Sequence, residues 1–400
     1  MRPDVGDLEG PAAVATSRCG TYEPTEVRAA LDEVLAPLGG MKAFVRAGER
    51  IALKPNLLMA AAPGAGITTH PSVVGAVAEA VREAGAVPFV VESPGAGIPH
   101  TAGALRWVYR KTGLLALAED TGLELSFATD VEPLHVPGAV LVKRMEVLRA
   151  LLDADGIISL PKLKTHNYQV YTGAVKNLFG CIPGYAKPGY HAKLADPGHF
   201  ADMLLDVCAA MAPRLSLMDA VVGLEGEGPG TGGRPREVGA LLASRDPVAL
   251  DRVACRIVGI DERSVPVLQA AERRGLARLD RPPAVAGVPV EALAVSGFLG
   301  AYERWTGGGF APSSAAQRLF GWALADATSP RPRPRRERCT GCATCERACP
   351  TGAIVMRQRL AVVEDGSCIR CYCCHELCPD NAVDLEPALL GRLARAVGFR

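Results

Sequence analysis

Two stretches near the C-terminal end repeat one spacing: Cys339-x2-Cys342-x2-Cys345-x3-Cys349-Pro350 and Cys368-x2-Cys371-x2-Cys374-x3-Cys378-Pro379. Nothing else in the chain limits its folding so sharply. Three cysteines two residues apart wrap a tight turn around one face of a cube. The fourth, after a short helical start, points the opposite way. In a C-x2-C-x2-C-x3-C-P run the first three thiolates hold one cluster and the fourth reaches the other. The spacing therefore predicts one [4Fe–4S] cluster on Cys339, Cys342, Cys345 and Cys378, and a second on Cys368, Cys371, Cys374 and Cys349. Cys373 is left over, because using it in place of Cys374 breaks both the x2 and the x3 spacing. Pairs of C-x2-C also bind zinc, but zinc modules seldom repeat four cysteines with a proline after the fourth.

Residues 337 to about 387 resemble the two-cluster bacterial ferredoxins, and the resemblance implies one-electron transfer at low potential. Ala353-Ile354-Val355 and Ala382-Val383-Asp384 are the expected strands after each Cys-Pro. Ahead of this module, Ser329-Pro330-Arg331-Pro332-Arg333-Pro334-Arg335-Arg336 alternates proline with arginine. Such a segment favours an extended, self-repelling linker. We expect a body over 1–312 and a helix plus Pro/Arg-rich linker over 313–336. The module follows over 337–387, then a C-terminal helix over 388–400 docked on the body. The tail sets Leu389, Leu390, Leu393, Ala396 and Val397 along one helical face.

Composition sets the remaining bounds. The 400 residues are 48% hydrophobic, enough for a real core, and a net charge of +1 gives no argument for nucleic acid. The first twenty residues lack an apolar signal region, and no stretch approaches the roughly 20 apolar residues of a membrane span. A cytoplasmic protein is expected, where 13 cysteines imply metal more than disulfides.

The first 300 residues alternate strand and helix patterns. Strands are expected at Arg50–Lys54, Val87–Glu92, Glu124–Phe127, Gly156–Leu160 and Leu215–Val222. Helices are expected at Ser72–Ala84, Leu105–Arg110, Phe200–Met211 and Pro247–Val258. This order predicts an α/β body with a mostly parallel sheet, beside a C-terminal α+β two-cluster ferredoxin-like domain. Ligands of such sheets sit at the carboxyl ends of strands, and there the chemistry gathers. Lys54-Pro55-Asn56 ends one strand, and Thr69-His70-Pro71 opens a helix. Pro161-Lys162-Leu163-Lys164-Thr165-His166 follows another strand, with Lys176-Asn177, Cys181 and His191 downstream. A lone lysine is usually a solvated face and a lone histidine a satisfied one; this many together read as a polar site.

These motifs, with Gly173-Ala174-Val175-Lys176-Asn177-Leu178-Phe179-Gly180, Asp219-Ala220-Val221-Val222-Gly223-Leu224-Glu225-Gly226 and Ser244-Arg245-Asp246-Pro247, resemble the uncharacterised domain-of-unknown-function family number 362 over residues 15 to 300. Members often carry a ferredoxin module, and the family implies no settled reaction. A weaker resemblance, through Ala154-Asp155-Gly156-Ile157-Ile158, His166, Gly173 to Lys176, Ile182-Pro183-Gly184 and His191, is to the nickel-dependent lactate racemases. It implies roles in proton transfer, cofactor anchoring and metal ligation for His166, Lys176 and His191, with His70 taking part. Lys176-Asn177 departs from that family's Gly-Gly-x-Lys-Ala type of run. A shared cleft is implied more than shared chemistry, since clusters have no obvious role in a redox-neutral racemisation.

The candidate catalytic set is His70, Lys164, His166, Lys176 and His191. The candidate substrate-binding set is Lys54, Asn56, Lys162, Asn177, Asp219 and Glu225. The glycine-rich Gly226–Gly233 stretch lacks the following helix of a dinucleotide fingerprint and reads as a lid or a plain loop. Cys181 is a nucleophile or ligand beside the cationic loop, or an inert thiol.

Three functions fit. The first is an oxidoreductase in which the clusters feed an anionic small molecule, with a further unidentified cofactor or metal in the cleft admitted. The second is an electron carrier whose body docks a redox partner protein. The third is a non-redox, metal-dependent isomerase-like enzyme. None involves nucleic acid or a membrane span.

Overall fold

The computed structural model describes residues 14–300, apart from Ala96, and 330–386. The helical run expected at Ser313 to Ala325 and the tail helix at 388–400 lie outside the described residues. Short apolar runs bounded by Gly, Pro and polar residues form the strands. In chain order these are β1 (Val14–Arg18), β2 (Arg50–Pro55), β3 (Val87–Val90) and β4 (Glu124–Leu125), then the hairpin β5 (Val131–His135) and β6 (Arg144–Leu148). The body continues with β7 (Gly156–Leu160), β8 (Lys162–His166), β9 (Val170–Thr172), β10 (Leu215–Gly226), β11 (Gly233–Ser244) and β12 (Val285–Gly287).

The main sheet has ten strands on the path β12-β1-β11-β10-β7-β2-β3-β4, with β8 paired to β10 and β9 to β8. From β10 to β4 every pairing is parallel. Antiparallel pairs occur where β11 lies between β1 and β10 and where β9 meets β8. The body is α/β with a mostly parallel sheet, as expected. Alternation along the strands feeds two cores: Ile51 and Leu53 of β2 face one, Ala52 the other. Helices Pro24–Leu35 and Pro71–Glu83 cover the first face, and Pro197–Met211 and Pro247–Ile257 the second. All four start at a proline, whose missing N–H is one that a first turn leaves unbonded anyway.

Chain direction places the site. From β2 the chain moves outward to β3 on one side, whereas β7 lies against β2 on the other, with Lys54 beside Ser159 and Pro55 beside Leu160. Such a switch point opens a crevice at the strands' carboxyl ends.

The C-terminal module contains β13 (Arg331–Pro334), β14 (Ile354–Arg357), β15 (Leu360–Val363) and β16 (Val383–Glu386), paired β13-β16 and β14-β15. This corrects the expectation of a free Pro/Arg linker. The segment is a strand of the module, antiparallel to β16. Its arginines do not simply repel, because three of the four meet acid: Arg331 and Arg333 reach Asp365, and Arg335 reaches Asp384 and Glu386. Pro332 and Pro334 are tolerated because β13 pairs on one side only.

Candidate functional site

A cleft opens at the switch point, with about 640 Å³ of atom-free space, part of it open to solvent. Lys54, Asn56, Lys164, Lys176, Asn177 and His191, all expected in the site, line it. Glu92, Lys187, Cys373 and Glu376 line it as well. Lys54 is buried in an ion pair with Glu92 and also donates to the Pro55 carbonyl at 2.9 Å and to Asn177 Oδ1 at 3.3 Å. Asn177 donates in turn to the Lys54 carbonyl (3.2 Å) and Ser159 Oγ (3.0 Å), so its amide clamps β2 to β7. Lys164 donates to Asn56 Oδ1 at 2.8 Å and to the Ile67 carbonyl at 2.9 Å. Lys187 is held by the carbonyls of Ser93 (2.5 Å) and Pro94 (2.8 Å). Among the described residues nothing accepts a hydrogen bond from Lys176 Nζ.

Burial without matching countercharge sets the electrostatics. It pushes Lys164 well below the ordinary lysine value, with Lys176 and Lys162 adding repulsion, and takes Lys187 down to about 7. His191 is lowered to about 3 by burial and by Lys176, and its buried Nδ1 has no hydrogen-bond partner. Its ring lies stacked on Phe200, centroids 4.4 Å apart. Burial raises Glu376 to about 7, against the pull of Lys176 and Lys164.

Local geometry explains the flanking sequence. Asp251 accepts from the Ala174 and Val175 N–H groups at 2.5 and 3.0 Å, pinning the turn that carries Lys176 and Asn177. A Cβ on Gly173 would sit 2.1 Å from Asp251 Oδ1, and one on Gly180 would sit 2.2 Å from Glu92 Oε1 and 2.5 Å from Lys54 Nζ. A side chain at either position would have to displace these buried groups, Asp251 and Tyr171 at the first and Glu92 and Lys54 at the second.

Not every expected residue arrives there. Lys162 belongs to a separate buried knot, paired to Asp219 at 2.8 Å and donating to Tyr22 Oη at 2.6 Å. His70 caps helix Pro71–Glu83 through Nδ1 and stacks on Tyr22 with centroids 3.7 Å apart. Its backbone N–H donates to Asp219. His70, Lys162 and Asp219 therefore stand outside the cleft and hold the fold together. Glu225 accepts from the Leu299 N–H at the far end of β10. His166 is buried just behind the wall: Nδ1 accepts from the Tyr168 and Gln169 N–H groups and lies 3.3 Å from Glu376 Oε1. The convergence expected of Lys164, His166, Lys176 and His191 thus holds for three, with His166 one residue removed. Cys181 is buried and its thiol is pushed up to about 12 by burial, which makes it the inert alternative.

Two further pockets lie in the module. One is bordered by Cys339, Cys342, Cys345 and Cys378, the other by Cys349, Cys368, Cys371, Cys374 and Cys373. The first holds the four cysteines of one expected set; the second holds the four of the other and adds Cys373. The fourth cysteine of each run receives a backbone N–H from four residues on, Ala353 to Cys349 Sγ at 3.2 Å and Ala382 to Cys378 Sγ at 3.1 Å. Among the described residues, no group of three or more His, Cys, Asp or Glu side chains is arranged to hold a single ion; each set borders a larger space.

The glycine-rich stretch is neither lid nor plain loop. A Cβ on Gly230 would fall 1.9 Å from the Glu376 carbonyl, and one on Gly232 would fall 2.7 Å from His375 Nε2. Thr231 Oγ1 donates to the Cys378 carbonyl at 2.6 Å. The stretch is a ledge on which the second cysteine run rests. Gly95, whose Cβ would meet Leu377 at 2.6 Å, forms the opposite rest. Sequence reasoning missed Glu92, Lys187, Cys373 and Glu376 as cleft residues. Glu92 follows β3 at its carboxyl end, a signal that could have found it. Glu376 was masked by the cysteines around it.

Comparison with known proteins agrees with this division. The model of a domain of unknown function, DUF362, matches residues 51–256, and a 4Fe-4S binding domain matches residues 333–355. A thylakoid-associated protein of Synechocystis is 39% identical over 271 residues, 66% of this chain and 80% of that protein. Among solved structures, the lactate racemase apoprotein of Thermoanaerobacterium thermosaccharolyticum aligns with TM-score 0.37 and 11% identity, covering 62% of this chain and 57% of that one. A Thermotoga maritima protein aligns with TM-score 0.35 and 11% identity over 55% of each. The chain spans little more than half of either structure. No helix among the described residues is long and apolar enough to cross a membrane. The matched cysteine run gives the chain at least one [4Fe–4S] site and an iron–sulfur electron-transfer role.

Proposed function

The chain belongs to the DUF362 family, and we propose that this member is an oxidoreductase passing electrons from two [4Fe–4S] clusters to an anionic small molecule in the cleft. One observation carries the reading: among the described residues, Cys373 alone borders both the inner cysteine pocket and the cleft. Four thiols at one module pocket and five, Cys373 included, at the other, with an N–H donated to one sulfur of each set, fit a cubane on either side. When bound, the clusters supply one-electron transfer at low potential.

The chain's own groups do the rest. Lys164 and Lys176 hold the anion, and the module docked over the cleft keeps water from much of it. His191, neutral, lines the cleft and has a buried ring nitrogen without a partner, and we assign it the exchange of a proton with the bound molecule. A redox partner protein supplies electrons at the outer run, where Cys342 is exposed.

The test uses full-length holoprotein, reduced anaerobically and freed of reductant, then offered small acidic metabolites, including any that co-purify and are identified by mass spectrometry. Reoxidation by one of them, slowed in Lys176→Gln and His191→Gln, is expected. Reoxidation only by a carrier protein, unaffected by these variants, makes the chain an electron carrier instead.

A further inference from the structure

The cleft's charges do not balance, and the imbalance specifies the ligand. Among the described residues four lysines line it, Lys54, Lys164, Lys176 and Lys187, against two carboxylates, Glu92 and Glu376. With every group ionised, two positive charges are left over in a mostly buried space. Donor capacity is just as uneven. Lys54 has three acceptors: Glu92, the Pro55 carbonyl and Asn177. Lys164 and Lys187 have two each, and each keeps one N–H free. Lys176 keeps all three. His191, 6% exposed, also lines the cleft and has a buried Nδ1 without a partner.

A buried ammonium without a counter-ion gives up its proton or recruits an anion. A single carboxylate would offset one of the surplus charges and leave the other. Two negative charges offset both, and their oxygens can accept from Lys164, Lys176 and Lys187 together. Among the described residues no arginine lines the cleft, so recognition relies on charge and point donors more than on a planar fork. Resting on the assignment of the cleft as the substrate site, we propose that it binds a small oxygen dianion, a dicarboxylate or a phosphate group, across Lys164, Lys176 and Lys187. The depressed basicity of Lys164 and Lys187 in the empty cleft agrees, since ligand entry then brings protons with it.

The measurement is calorimetric titration of the oxidised, anaerobic, full-length holoprotein with malonate, inorganic phosphate and acetate. Buffers of different ionisation enthalpy report proton uptake. Malonate or phosphate is expected to bind at least about tenfold tighter than acetate, and which of the two wins identifies the kind of dianion. In Lys176→Gln the preferred dianion should weaken about tenfold and its margin over acetate shrink, with iron content unchanged. Acetate binding as tightly as both dianions, or an unaltered dianion affinity in Lys176→Gln, overturns the proposal; so does failure of both dianions to bind. The wild-type comparison stands even if a variant fails to fold. The titration uses oxidised protein and redox-inert anions, so it does not depend on electron transfer: dianion binding here, with no metabolite reoxidising the reduced clusters in the earlier test, refutes the electron-transfer reading and leaves this one intact.

Discussion

The two cysteine runs share one spacing and meet opposite surroundings. In the outer run Cys342 is exposed, and Thr340 and Arg347 beside it face solvent. In the inner run every residue from Cys371 to Cys378 is buried, and Cys373, Glu376 and Leu377 form a wall of the cleft. The cysteines therefore say what is bound, while the residues between them say what each site faces. Thr-Cys-Glu-Arg-Ala fills the outer position and Cys-Cys-His-Glu-Leu the inner one. The asymmetry gives the molecule a direction, solvent at one end and the cleft at the other.

The largest expected effect sharpens this contrast within the inner run itself. Cys374→Ala should halve the content of about eight iron and eight sulfide per chain, whereas Cys373→Ala should leave it unchanged, by metal and acid-labile sulfide analysis. Loss of iron from the Cys373 variant would make it a ligand and dissolve the distinction between wall and cluster.

Glycines offer the next comparison. Gly230→Ala drives a Cβ into the Glu376 backbone at 1.9 Å, while Gly366→Ala, in an exposed turn, meets nothing within 4 Å. Thermal or denaturant unfolding should show a cost of about 1–3 kcal/mol for the first, and within about 0.5 kcal/mol for the second.

Much of the site was legible in the sequence, for one physical reason. Parallel sheets collect function at the carboxyl ends of strands, and Lys54, Asn56, Lys164, Lys176 and Asn177 follow such ends closely in sequence. Lys162, Lys164 and His166 also share a face by strand parity. The β10–β8 register, however, shifts between Asp219 and Leu224, so three residues on one strand meet three different environments. That shift has no local signature. Neither does the docking: Gly230 and Glu376 are far apart in the chain, and a glycine ledge announces itself only through what rests on it. Alternating Pro and Arg misled because linker chemistry was read from the segment alone, whereas Asp365, Asp384 and Glu386 neutralise it from elsewhere.

A subtler effect is pH dependence in the cleft. Lys187, facing Glu92, Lys54, Cys181 and Lys176, is held near 7 by burial. An anion favours its protonated form, so dianion affinity should fall as pH rises through about 7, and Lys187→Gln should flatten that slope in the same titrations. The smallest effect belongs to the module's surface. Asp365→Ala removes the partner of Arg331 and Arg333, all about a third exposed, and should cost under about 1 kcal/mol in unfolding experiments.

The central claim, that the inner run alone faces the ligand, is tested most directly by electron paramagnetic resonance of the anaerobically reduced holoprotein, with and without the anion that the cleft binds. The Cys374→Ala variant identifies the inner cluster's signal by its absence. The account predicts that ligand binding shifts the inner signal and leaves the outer one in place, and that the same shift needs about tenfold more ligand in Lys176→Gln. A ligand that binds and perturbs the outer signal alone, or neither signal, would contradict it.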